Sequence, residues 1–163
     1  MSIGDDTYAW RRDLPHLEKE GKSYYVTFCT RDRRILSPSA RTIALESCVA
    51  GHLRSYFLHS VVVMPDHVHL VFTLYRIATL AATMKLIKST SARGIGGGVV
   101  WQREYFDRIL RSDEDLRAKC EYVVNNPVRA GLVASAEDYP WIWRSWVEGA
   151  EAPVRTPAPH KVS

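Results

Sequence analysis

The run SYYVTFC at 23–29 is aromatic and β-branched, which predicts a strand, and the charged stretch Arg31–Arg34 predicts the turn that follows. Beyond Ser37–Pro38–Ser39, the segment ARTIALESCVAGHLRS places apolar residues at 43, 44, 48, 49 and 53, close to helical spacing. YFLHSVVV at 56–63 predicts a second strand, Met64–Pro65–Asp66 a turn, and His67–Leu74 a third strand, so the pair forms a hairpin. A second helix, from about Ile77 to Arg93, carries Leu80, Met84 and Ile87 on its apolar stripe, with Lys85 and Lys88 away from it. GIGGG at 94–98 ends that helix, and VVWQREYFDRIL reads as a fourth extended segment. In SDEDLRAKCEYVVNN, residues 112–126, Ser112 followed by Asp115 gives a capping-box-like start, and Pro127 gives a stop. The order βαββαβ plus one helix is the ferredoxin-like arrangement, an α+β fold with an antiparallel sheet, helices on one face and an added C-terminal helix.

Composition narrows the class. With 163 residues, 46% of them apolar and 25% charged, the chain has the size and make-up of one globular domain. That domain is expected over 1–147 and includes an N-terminal arm, followed by a disordered Pro- and Ala-rich tail at 148–163. No stretch approaches the roughly 18 apolar residues of a membrane span, and the polar start MSIGDDTYAWRRD is unlike a signal peptide. A cytoplasmic protein is expected. Cys29, Cys48 and Cys120 are far apart and lack CxxC spacing, which argues for core thiols rather than disulfides or zinc ligands. Between Tyr75 and Arg111 stand seven cations (Arg76, Lys85, Lys88, Arg93, Arg103, Arg108, Arg111) against two anions (Glu104, Asp107). The surplus of +5 exceeds the net +4 of the whole chain, so the remainder is close to neutral. Such a segment suits a polyanion or, equally, a solvated helix face.

The most informative short stretch is MPDHVHLVF, 64–72. In a strand, positions i and i+2 share a face, so His67 and His69 project together while Val68 points the other way. They could hold a metal jointly, or be two hydrogen-bonded structural histidines. Several metal readings fail on this chain. An amidohydrolase barrel needs about 250 residues, a histidine triad would want His where Val71 stands, and the HExxH of a zincin is absent. A P-loop is absent as well, so GIGGG is not a phosphate loop. On the last helix, Leu116, Cys120, Val123 and Val124 form the apolar stripe, and Tyr122 lies about 145° from its centre. Asn126, at i+4, shares the flank of Tyr122, so a phenol and a carboxamide are presented together. Asp66 reads as turn-forming, with an orienting contact to an imidazole as the alternative. His59 reads as structural.

Read together, VVVMPDHVHLVF, VWQREYFDRILR, EYVVNNPVRAGLV and DYPWIWRSW, preceded by RRDLPHLEKEGKSYYVTFCT, resemble in order and spacing the REP-associated tyrosine transposases. These are single-strand transposases of the HUH nuclease superfamily, and the resemblance runs from about Arg11 to Trp146. It implies the ferredoxin-like fold again, a metal held by His67 and His69, Tyr122 as nucleophile and Asn126 as third ligand, where relatives can carry the longer Gln. It also implies cleavage of single-stranded DNA beside a hairpin such as a repetitive extragenic palindrome, giving a 5′-phosphotyrosine and a free 3′-OH. Two imidazoles, an amide oxygen and phosphate oxygens suit Mg²⁺ or Mn²⁺, with zinc as the further option. Lys85, Lys88, Arg93, Arg103 and Arg108 are candidates to track a DNA backbone, and Trp101, Tyr105 or Phe106 to stack on bases or pack in the core. By resemblance Arg11 and Arg12 read bases beside the hairpin. Arg129 either caps a helix end or contacts phosphate. A monomer is expected. The competing readings are a non-catalytic DNA- or RNA-hairpin binder of the same fold and a metal-dependent hydrolase of small phosphoesters.

Overall fold

The computed structural model describes residues 21–75 and 77–146, and within them five strands form one antiparallel sheet. In chain order the elements are β1 (Ser23–Cys29), α1 (Pro38–Ala50), β2 (Tyr56–Val63), β3 (His67–Leu74) and α2 (Leu80–Ile95). They continue as β4 (Phe106–Leu110), α3 (Asp113–Val124), the short α4 (Asn126–Arg129) and β5 (Ile142–Arg144). The strand order β4-β1-β3-β2-β5 is the ferredoxin-like sheet with one strand added beside β2.

Each face of the sheet has its own cover. On one side Val26, Phe28, Leu58, Val61, Leu70 and Phe72 pack beneath α1 and α2, which contribute Leu45, Cys48, Met84 and Ile87. On the other, Tyr25, Val62 and Val71 meet Leu116, Cys120 and Val123 of α3. Cover on both faces explains why β2 and β3 are continuous apolar runs rather than alternating ones. A register shift between Leu58 and Ser60 keeps Tyr56 and Leu58 on the same side as Val61 and Val63. The bulged residue, His59, is buried with Nε2 2.8 Å from Thr73 Oγ1, a structural histidine as expected. Cys48 and Cys120 are buried free thiols, and Cys29 is half-buried and also free.

The helix starts follow the sequence: Ser37, Thr79 and Ser112 each accept a hydrogen bond from the backbone N–H three residues on. Other boundaries differ. Helix α1 stops before Gly51, where the Tyr56 ring packs so closely that a Cβ would lie 2.5 Å from it. Leu53 therefore leaves the helical stripe and is exposed, with φ 69°. Helix α2 spans Leu80–Ile95 and ends where Gly96 takes φ 79°. Only Phe106–Leu110 of the fourth extended segment is strand, and the backbone pairing of residues 99–105 is limited to an isolated bridge between Thr30 and Trp101. There the Lys88 ammonium donates to the carbonyls of Gln102 and Arg103, at 2.7 and 2.9 Å, in place of a ladder partner. Strand β5 has no counterpart in the hydropathy pattern. It arises because the aromatic stretch folds back and buries Trp143 along the edge of β2. Among the described residues no helix is long and apolar enough to cross a membrane. Arg11, Arg12, Arg76 and the tail at 148–163 lie outside the described residues.

Candidate active site

His67 and His69 stand on the α3 face of β3, with ring centroids 4.7 Å apart. Each ring is tied at Nδ1. That of His67 donates to Asp66 Oδ1 at 2.7 Å, and the other carboxylate oxygen of Asp66 accepts from Arg33 at 3.1 Å. Asp66 is thus more than the turn-former its position after Pro65 suggests: its side chain orients an imidazole. Burial would raise this carboxyl, but the bonds from His67 and then Arg33 outweigh burial and hold it below the usual carboxylate range. His69 Nδ1 lies 2.7 Å from Thr27 Oγ1, its register partner on β1, and 3.1 Å from the Tyr25 hydroxyl. Burial, then the charges of His67, Arg129 and Lys119, push His69 down to about 3, so its imidazole is neutral. With both Nδ1 atoms engaged, Nε2 on the far side of each ring is the nitrogen left to bind a further partner.

Among the described residues no three His, Cys, Asp or Glu side chains cluster in a way that could hold a metal ion. A third protein ligand beside the two imidazoles would have to be another residue type, and a carboxamide oxygen is one. Asn126 is half-buried at the start of α4. Pro127 has no N–H to continue the ladder, so α3 ends at Val124 rather than at 126.

The apolar stripe of α3 is the one its spacing predicts, with Leu116, Cys120, Val123 and Val124 buried, and Tyr122 is 43% exposed beside it. The Tyr122 ring is 6.4 Å from that of His69 and meets Tyr25 edge-on at 6.3 Å. Tyr25 in turn stacks on His69 at 5.7 Å, so one aromatic links the histidine pair to the phenol. Arg129 caps α3 by donating to the Tyr122 carbonyl at 3.0 Å, and its guanidinium lies 3.9 Å from the Tyr122 ring centroid.

The basic residues divide between two faces. Lys85, Lys88 and Arg103 line a groove of about 420 Å³ between α2 and residues 99–105, on the side away from the histidines. Arg93 is exposed near the end of α2. Arg108 instead pairs in register with Tyr25 and so joins the histidine face. Of the aromatic candidates, Trp101 is core, packed on Phe28 at 4.7 Å, and Tyr105 is half-buried with the Lys88 ammonium 5.6 Å from its ring. Phe106 is 56% exposed, 6.1 Å from Tyr25.

Three neighbours of the site escape sequence reasoning: Tyr25, Thr27 and Lys119. The Lys119 ammonium sits 4.5 Å from the Tyr25 ring centroid and 4.7 Å from that of Tyr122. Its i, i+3 relation to Tyr122 is a usable signal. The two β1 residues become neighbours only through strand register, which the sequence does not state.

A relative from Escherichia coli strain K12, named a REP-associated tyrosine transposase, is 24% identical over 125 residues, 75% of this chain and 76% of its own. A relative from Haemophilus influenzae, provisionally given the same name, is 29% identical over 149 residues, covering 81% of this chain and 82% of its own. A solved REP-associated tyrosine transposase bound to a REP hairpin matches with TM-score 0.66 and 24% identity over 76% of both chains, a likeness of fold. The family model described as "Transposase IS200 like" matches residues 19–126, about two thirds of the sequence, and the chain belongs to that family of transposases.

Proposed function

We propose that this protein is a metal-dependent single-stranded DNA endonuclease and strand transferase that uses Tyr122 as nucleophile and acts beside DNA hairpins such as repetitive extragenic palindromes. One observation carries the reading: a phenol off the apolar stripe of α3 stands 6.4 Å from the ring of His69, one of two neighbouring imidazoles whose Nδ1 atoms are both fixed. A purely structural pair would not need both Nδ1 atoms fixed beside a solvent-reachable tyrosine.

His67, His69 and Asn126 are the residues that would hold the divalent ion, Mg²⁺ or Mn²⁺. The chemistry such an ion supplies when bound is polarisation of the phosphodiester and relief of charge on the departing oxygen. In the step itself the Tyr122 oxygen forms a bond to phosphorus while the bond from phosphorus to the 3′ oxygen breaks. The electron pair leaves with that oxygen, which takes up a proton, and the phenol proton passes to solvent. The product is a 5′-phosphotyrosine with a free 3′-OH, and attack by another 3′-OH rejoins DNA without an external energy source. His67, His69 and Tyr122 meet within one chain, which supports a monomer that works alone. Lys85 and Arg103 in the α2 groove, with exposed Arg93 and Arg108, present positive charge to the backbone, and Phe106 offers an exposed ring beside the site. The hairpin assignment takes its warrant from the relatives' names and extends to Arg11 and Arg12.

The test is a denaturing gel of wild type and Tyr122→Phe, each incubated with Mn²⁺ and 3′-labelled single-stranded DNA carrying the palindromes that flank the gene. A labelled band at protein mass in wild type alone is the expected result. Cleavage by the Phe variant at the wild-type rate would remove Tyr122 from the mechanism. Hairpin binding without cleavage by wild type would favour a non-catalytic binder.

A further inference from the structure

Three cations from three elements gather on the Tyr25 and Tyr122 side of the sheet, and none of them lines the groove on its other face. Arg108 reaches the histidine face from β4, opposite Tyr25. Lys119 stands one turn before Tyr122 on α3, its ammonium close to the Tyr25 and Tyr122 rings. Arg129 closes α4, and its guanidinium lies 3.9 Å from the Tyr122 ring centroid. Among the described residues none of the three forms an ion pair, whereas Arg33 and Arg144 each have a carboxylate within 3.1 Å. Arg108 and Arg129 are both within electrostatic reach of Lys119. Burial lowers the proton affinity of Lys119, and Arg108 and then Arg129 lower it further, which is the signature of uncompensated positive charge. Like charges gathered around aromatic rings repel, and an anion among them turns that repulsion into attraction.

We propose that Arg108, Lys119 and Arg129 form a phosphodiester-binding site that seats the phosphate Tyr122 attacks. The identity of the bound phosphate as the attacked one rests on the nucleophile reading above; the anion site itself does not. The guanidinium groups can each offer two parallel N–H donors to a phosphate, and the ammonium supplies a compact charge between the two tyrosine rings. Charge and hydrogen-bond donors fixed in place before reaction stabilise the added negative charge of a pentacoordinate phosphorus without having to reorganise. Lys119 touches the substrate phosphate in this arrangement and is a catalytic residue. Arg129 has a second task, since its bond to the Tyr122 carbonyl fixes the end of the helix that carries the nucleophile.

Two readouts test the site, using the full chain and the variants Lys119→Met and Lys119→Arg. The first is binding without chemistry: inorganic phosphate is titrated while the Tyr25 and Tyr122 ring resonances are followed by NMR. Phosphate should shift both rings in wild type and Lys119→Arg, and leave them unmoved in Lys119→Met. The second is the rate of covalent adduct formation, which should fall about 10²-fold in Lys119→Met, as for loss of one preorganised donor, and recover in Lys119→Arg. Phosphate that leaves the wild-type rings unmoved, or a Met variant that binds phosphate and forms adduct like wild type, overturns the proposal. Phosphate shifts that depend on Lys119 in a protein that forms no adduct would uphold the anion site while overturning the nucleophile reading.

Discussion

Replacing Asp66 with Ala isolates the outer support of the histidine pair. The substitution deletes the acceptor 2.7 Å from His67 Nδ1, so the ring loses the contact that fixes both its orientation and the nitrogen it presents. Loss of such a partner lowers metal affinity about 10–100-fold, or roughly 1.4–2.8 kcal/mol. Folding should suffer less. The same carboxylate pairs with Arg33, but that guanidinium is 53% exposed and the carboxylate 23%, so solvent screening leaves the ion pair about 0–1 kcal/mol. The loss of the ion pair alone should therefore lower the melting temperature by no more than about 2–4 °C. Asp66→Asn should be intermediate in metal affinity, because an amide oxygen can still accept from Nδ1–H without the charge. Arg33→Ala breaks the ion pair while sparing the bond to His67, and should leave metal affinity nearly unchanged. Calorimetric titration with Mn²⁺ and thermal melts of the four proteins separate the two effects. Unchanged Mn²⁺ affinity in Asp66→Ala, or an equal loss in Arg33→Ala, would refute the orienting role.

Thr27→Val should weaken Mn²⁺ binding roughly five-fold, the worth of about 1 kcal/mol for one hydrogen bond, because the Tyr25 hydroxyl at 3.1 Å remains near His69; the same calorimetry measures it. Lys85→Ala and Lys88→Ala should separate by assay. Lys85 is exposed in the groove, so its loss should reduce the slope of log affinity against log salt by about 0.7 for single-stranded DNA. Lys88 holds two carbonyls, so its loss should instead lower stability by about 1–3 kcal/mol in denaturant melts. Gly51→Ala should destabilise the fold by about 1–3 kcal/mol, since the new methyl meets the buried Tyr56 ring at 2.5 Å; a melt as stable as wild type would show that the turn can give way.

What the sequence disclosed about the site was local to one element. His67 and His69 share a face because strand residues alternate, and Tyr122 leaves the apolar stripe because helix residues advance by a fixed angle. The supports of these residues are not local. Thr27 meets His69 through register, and Tyr25 lies between pair and phenol because β1 runs beside β3. Neither relation follows from any period in the chain. Boundaries failed for similar reasons: α1 gives way at Gly51 to a ring from β2, and β5 exists because Trp143 finds cover against β2.

Charge counting failed in a more instructive way. The +5 segment is one stretch of sequence, but the sheet places its α2 end on one face and Arg108 on the other. Lys119, whose ammonium stands nearest the Tyr122 ring after Arg129, lies on a helix opened by Asp113, Glu114 and Asp115, where net charge conceals it. A direct path for a single strand of DNA from the α2 groove to Tyr122 passes the strand β4, which among the described residues is the edge of the sheet. Residues 99–103 and Tyr105 line that groove and lead directly into β4, whose Phe106 and Arg108 face the site. The consecutive run from Trp101 to Arg108 therefore joins the two basic surfaces, so a charge-reversing substitution at Arg103 should impair binding of long strands more than that of short ones.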